Sequence, residues 1–211
     1  MIRLLGALAA IVLMFIWLSP EPTPSNDAPA ITLPPTTSAQ GSALQAPIQI
    51  PITQSSPHQL EKYTLYPKAD IHFSARLLSK EYYRFDRESD LSPVDLALGW
   101  GQMANPTVTN QLTISQSGRW FRWKTDQLPI PRKEIEISAA NVHIIPANDH
   151  IKDQISDIKE GEMIRLSGQL VNIKSDDGFY WNTSLTREDT GGGACEILYT
   201  THIERLPDPF Q

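Results

Sequence analysis

A single cysteine, Cys195, stands among five histidines in this chain. A thiol becomes a nucleophile when a base takes its proton, so Cys195 with His143 is the minimal pair from which thiol-dependent hydrolysis could be built. The competing reading is structural. A free cysteine is among the most buried residue types, and strand phase sets Cys195 with Ile197, Tyr199 and Ile203 on one apolar face. Asp189-Thr190-Gly191 has the triplet of a protease carboxylate that shares its proton across a dimer. Here Arg187-Glu188 and two further glycines flank it where hydrophobic strands should stand, so it reads as a hairpin loop with glycine supplying positive φ. Those glycines could present N–H groups to an anion, but no Gly-Lys-Ser/Thr follows to make a nucleotide site.

Arg119-Trp120-Phe121-Arg122-Trp123-Lys124 interleaves cations with aromatics, the chemistry that stacks bases or sugars. On a strand, Arg119, Phe121 and Trp123 point one way and Trp120, Arg122 and Lys124 the other, so one aromatic set enters a core and the other is left for contact. The contact surface expected from the sequence is Trp100, Trp120, Arg122 and Lys124. No His-x-His, His-x-x-x-His or Cys-x-x-Cys spacing is present, so neither a metal site nor a cofactor is expected. Asp86, Glu88 and Asp90 alternate as in a Ca²⁺ loop but lack its glycine and distal glutamate. The stretch Arg84 to Asp90 reads instead as a solvated turn with local ion pairs.

These residues sit on elements whose signature is alternation, which means strands. Ile71, Phe73, Ala75 and Leu77 fall on one face against His72, Ser74 and Arg76. Ser92-Pro93 predicts a cap and first-turn proline for a short helix over Val94 to Leu98, ended by Gly99 and Gly101. Leu112 to Ser115 and Trp120 to Lys124 form a strand pair turning at Ser117-Gly118. Ile135 and Ile137 alternate with Glu134 and Glu136, which predicts a strand continuing through Val142 to Pro146. Ile151, Ile155 and Ile158 recur at helical spacing. Met163 to Ile173 follows as a strand in which Gly168 marks a bulge or a tight bend. Phe179 to Ser184 and Cys195 to Ile203 complete the set. The expected fold is mainly β: a small OB-like or SH3-like bent barrel with one or two short helices, the alternative being a β-sandwich.

Ahead of that domain, Leu4 to Leu18 is an unbroken apolar run behind Arg3. As a helix it spans about 22 Å, short of the roughly 30 Å hydrocarbon core but within reach if its flanks snorkel. The bulky Trp17 and Leu18 stand where a cleavable signal needs small residues, so residues 1–18 read as a retained transmembrane anchor. The positive-inside rule leaves the N-terminus in the cytoplasm, and the rest follows as a single-pass inner-membrane protein facing the periplasm. Nine of the 17 prolines fall between Ser19 and Leu60, so residues 19–60 read as a partly polyproline II tether. Residues 61–206 form the β domain and 207–211 a tail. The chain carries a net charge of −6, which argues against nucleic acid as a partner. One cysteine provides no intrachain disulfide.

Leu91 to Gly101, Ile114-Ser115-Gln116, Asn141 to Ala147, and Ser184 to Arg187 with Gly193 to Glu196 resemble a family of uncharacterised, membrane-anchored envelope proteins of Gram-negative bacteria, over about Ile71 to Ile203. The resemblance implies an envelope location and brings no catalytic residues. The sequence therefore leads to a periplasmic binding or scaffolding module whose partner is a glycan or another envelope protein. A thiol-dependent hydrolase using Cys195 and His143 stands as the alternative.

Overall fold

A computed structural model describes residues 45–188 and 194–211. Among the described residues ten strands are formed: β1 (Ile48–Pro51), β2 (His58–Leu60), β3 (Tyr63–Tyr82), β4 (Val94–Gly99), β5 (Thr113–Ser117), β6 (Trp120–Lys124), β7 (Ala139–Pro146), β8 (Met163–Ser175), β9 (Tyr180–Trp181) and β10 (Glu196–Leu206). Three short helices join them: α1 (Pro106–Thr109), α2 (Arg132–Ile137) and α3 (Asp149–Asp157). Five strands close a ring in the order β3, β4, β7, β10, β8 and back to β3. All neighbours around it are antiparallel except β7 with β10. Counting only ring strands in chain order, the circuit runs first, second, third, fifth, fourth, with α3 between third and fourth. This is the mainly-β, OB-like arrangement expected from the sequence.

The alternation seen in the sequence fills the ring. Ile71, Phe73, Ala75 and Leu77 of β3 meet Leu96 and Leu98 of β4, Val142 and Ile144 of β7, Ile164, Leu166 and Leu170 of β8, and Leu198 of β10. Ile151, Ile155 and Ile158 pack on the same cluster. The Asn148 side chain caps α3 by accepting from Ile151 N–H at 3.0 Å. At the other end of that helix, Lys80 Nζ donates to the carbonyls of Ile155, Ser156 and Ile158, satisfying acceptors that a helix terminus leaves open.

Side-chain phase is not constant along the long strands. The β3 register shifts between Pro67 and Ala69, and that of β10 between Thr200 and His202. Each extra residue exchanges the two faces. Tyr63 and Leu65 thus join a second apolar cluster outside the ring, whereas Ala69 and Ile71 face inward. Ile197 lies in the outer cluster and Ile203 in the inner one. Opposite the β10 bulge, a Cβ on Gly168 would lie 2.1 Å from the Tyr199 carbonyl oxygen, so the bend requires glycine. Gly168→Ala is expected to cost about 2–3 kcal/mol through overpacking against backbone. Thermal unfolding checks it, and an unchanged midpoint would refute it.

Three sequence expectations are corrected. Val94 to Leu98 is a strand, not a helix: β4 lies between β3 and β7 with all six residues buried, so no alternation shows, and Ser92 Oγ turns to the Val94 carbonyl. Glu134 to Ile137 is helical, because the turn set by Pro131 sends only Ile135 inward while Arg132 pairs with Glu136 at i,i+4. The tether gives way to folded chain before residue 60, since β1 and β2 both pair with β3.

The tail is also tied down. Asp208 accepts two bonds from Arg76, at 2.9 and 2.8 Å, and Phe210 packs near Ala104 and Met163.

Candidate functional site

The cation-aromatic motif forms a separate hairpin, β5 with β6, inserted between the second and third ring strands. Its two-residue turn has φ of 56° at Gly118 and 69° at Arg119, the positive angles that match the twist of a tight hairpin. Arginine is an unusual occupant of that region, and its side chain accounts for the choice. Arg119 reaches down to the outer face of the ring, donates to both Asp86 oxygens at 3.0 and 2.7 Å, and bonds Asp95 Oδ1 at 2.8 Å and the Ser92 carbonyl at 2.9 Å. Its guanidinium covers the Tyr83 ring at 3.9 Å. Burial alone would lower the Arg119 pKa, but the carboxylates of Asp86 and Asp95 more than offset this and raise it. The guanidinium in turn holds the Asp86 carboxyl below its ordinary value.

Asp95 is wholly buried on the face that β4 turns away from the ring interior. Asn141 bridges it to the hairpin: Nδ2 donates to Asp95 Oδ2 and to the Arg119 carbonyl, each at 3.2 Å, and Oδ1 accepts from Gln116 at 2.6 Å. His143 Nδ1 comes within 2.9 Å of Asp95 Oδ1 without hydrogen-bond alignment, and its ring lies 4.7 Å from that of Trp181. The hairpin is therefore fastened to the outer face of β4 and β7 by a polar clasp.

Beside the clasp lies an open cleft of about 260 Å³. Trp120, Phe121 and Trp123 line one side. Ala139, Ala140 and Asn141 of β7 lie with them, and Glu136, Thr186, Arg187, Cys195 and Glu196 bring the polar groups. Arg187 pairs with Glu196 at 3.1 Å, and Arg132 with Glu136 at 3.1 Å. Arg187 also donates to Gln49, which in turn donates to the Leu185 carbonyl, so β1 helps to hold this wall.

Comparison with known proteins finds no matching family model, no similar curated protein and no similar solved structure. The reading of the site rests on its geometry.

The hairpin divides as its alternation predicts: Trp120, Arg122 and Lys124 are exposed, while Phe121 and Trp123 are half-buried. Trp123 packs on the cluster of Met103, Val108, Leu112 and Ile135. Trp100 corrects the expected contact surface. It is 3% exposed and meets Phe73 edge-on at 6.2 Å between centroids, which makes it part of the core. Cys195 is half-buried in the cleft wall. The face expected for it is split by the β10 bulge, since Ile203 turns into the ring. Its Sγ lies 3.9 Å from the Arg119 carbonyl oxygen, and the residue opposite His143 in the β7–β10 register is Ile197, two positions further on. The charged turn makes distant rather than local pairs: Asp86 with Arg119, Arg87 with Asp177 and Asp90 with Lys62. Asp189-Thr190-Gly191 lies outside the described residues.

Among the described residues, no three His, Cys, Asp or Glu side chains are grouped to hold a metal, and no helix is long and apolar enough to cross a membrane. The run Leu4 to Leu18 is not among them. The sequence reading missed the clasp, although Asp95 in the apolar run Val94 to Gly99 carried a signal. A carboxylate buried on a strand needs a cation or donors, and Arg119 and Asn141 meet that need.

Proposed function

We propose that this chain is a membrane-tethered binding module of the bacterial envelope and that the cleft between β6 and β7 is its binding site. One observation carries the reading. Open aromatic side chains line a cleft on the outer face of the second and third ring strands, where OB-like barrels bind oligomeric ligands. The apolar run 4–18 and the proline-rich stretch after it support the tether, and the family resemblance supports the envelope location. The thiol-hydrolase alternative needs Cys195 and His143 to act together. His143 instead lies between Asp95 and Trp181, which favours the binding role.

Cys195 gives the test, because an occupied cleft shields its thiol. In native membranes, maleimide labelling of Cys195 is expected to be at least severalfold slower than in washed, purified full-length protein, and Trp120→Ala should abolish the difference. Equal rates in both preparations would remove the cleft as a binding site. Rapid labelling of the purified protein persisting well below the ordinary thiol pKa of about 8.5 would favour the hydrolase. Arg122→Ala with Lys124→Ala is expected to shift stability by less than about 0.5 kcal/mol, as for exposed surface positions. Denaturant unfolding measures it, and a larger loss would mean these side chains support the hairpin.

A further inference from the structure

Resting on that reading of the cleft, we infer that its ligand is an uncharged oligosaccharide, one pyranose ring of which stacks on Trp120. The cleft's ionised side chains are already paired within the protein, Arg187 with Glu196 and Arg132 with Glu136. An anionic ligand would have to draw an arginine out of one of those pairs and would face the carboxylates of Glu136 and Glu196. The Asn141 amide is committed at both ends. What Glu136 still offers is acceptor capacity, since a carboxylate has about four lone-pair sites and the pair with Arg132 engages a single oxygen, Oε1. An aromatic face beside spare acceptors suits a neutral molecule with many O–H donors and a flat C–H face, which describes a pyranose whose hydroxyls are equatorial. A peptide strand would instead need donors for its carbonyls, and a polynucleotide would bring phosphates to a chain of net charge −6.

Size and surroundings point to a chain rather than a free sugar. At about 260 Å³ the cleft falls below the roughly 300–1,000 Å³ of drug-sized sites, room for about one sugar ring. Two more exposed aromatics lie near the clasp and the charged turn. Phe85 is fully exposed beside Asp86, which the hairpin tip clasps, and Tyr180 of β9 is 71% exposed after the turn that Asp177 fastens to Arg87. Further rings of an oligosaccharide would meet aromatic faces of this kind.

The test uses the full chain in a detergent without a sugar headgroup, titrated with cellotriose, a triuronate and a proline-rich peptide, and followed by tryptophan fluorescence and calorimetry. Cellotriose is expected to bind saturably and the triuronate at least severalfold more weakly. Trp120→Ala should weaken cellotriose binding about tenfold, the size of one lost stacking contact, and Trp120→Phe should restore part of it. Glu136→Gln should weaken it severalfold with the melting curve unchanged. Binding of the peptide but not cellotriose, with loss in Trp120→Ala, would overturn the sugar assignment and leave the cleft as a site for another class. Equal binding of the triuronate, or cellotriose binding indifferent to Trp120, would also overturn it. If no probe bound and Cys195 labelled equally in membranes and in purified protein, the cleft reading and the sugar assignment would fall together.

Discussion

Asp95→Ala is expected to destabilise the domain by about 3 kcal/mol, the cost of breaking a buried ion pair and depriving the Asn141 amide of an acceptor. For a domain of this size that is a fall in melting temperature of roughly 6–12 °C. Asp95 is fully buried, Arg119 is 13% exposed at its side chain, and three groups converge on the one carboxylate: the Arg119 guanidinium, the Asn141 amide and His143. Its removal leaves Arg119 with Asp86 and the Ser92 carbonyl and takes from Asn141 one of its two acceptors. A double-mutant cycle with Arg119→Met separates the pair from its members. The double variant should be more stable than the two single losses sum to, because replacing both charges removes the orphan. If Asp95→Ala melted within a degree or two of the parent, the clasp would not be what holds the hairpin. The variant also reports on function: a loosened hairpin moves Trp120 and Phe121 relative to β7, so ligand binding should fall even at temperatures where the ring remains folded.

Asp208→Ala is expected to cost a similar amount, about 3 kcal/mol, although the residue lies in the last few of the chain. Arg76 is 5% exposed and its other acceptors are the backbone carbonyls of Ala104 and Gly161, so among the described residues its countercharge comes from Asp208, by a fork of two bonds. Arg76 also holds the Asp208 carboxyl below its ordinary value. A carboxyl whose folded pKa is depressed adds stability that is complete above its unfolded pKa of about 3.9 and is lost as pH falls through the lower, folded value. The gap between parent and Asp208→Ala should therefore be constant at neutral pH and begin to close below about pH 4, as pH falls towards the depressed folded value. Urea titrations at a series of pH values measure this. A gap that persisted in strong acid would mean that packing of the tail, not the ion pair, carries the effect.

Much of the ring was legible in the sequence because its strands are half-buried and alternate. The β3 stretch Ile71 to Leu77, the β6 strand and the Ile151-Ile155-Ile158 stripe of α3 all lie where periodicity put them. Periodicity failed where both faces are covered, as in β4, whose six buried residues look equally like a helix. It failed again over four residues in α2, too few to separate a period of 2 from one of 3.6. The bulges in β3 and β10 reverse the phase part-way along, and no single-strand pattern reports that. Trp120, Arg122 and Lys124 could be placed on an exposed face from alternation alone. The cleft could not, because it joins side chains from β6, α2, β7 and the segment before β10, which only the folded register brings together. Trp100 was misplaced for a related reason: it follows a strand that was not recognised, and at the end of β4 the chain turns inward to Phe73.

The position of β10 in the ring bears on how the protein is made. β10 lies between β7 and β8 and, among the described residues, supplies the one parallel seam. Without it, β7 and β8 each lack a neighbour, although the Arg119 clasp on β4 and β7 can already form. Residues 48–175 can then form local hairpins but cannot seal the core. The longest separations in the ring belong to β3 with β8, where Tyr63 meets Ser175, and pairings of that kind are the slow class in folding. The ring therefore stays open until β10 docks between β7 and β8, and that one strand locks it from both sides.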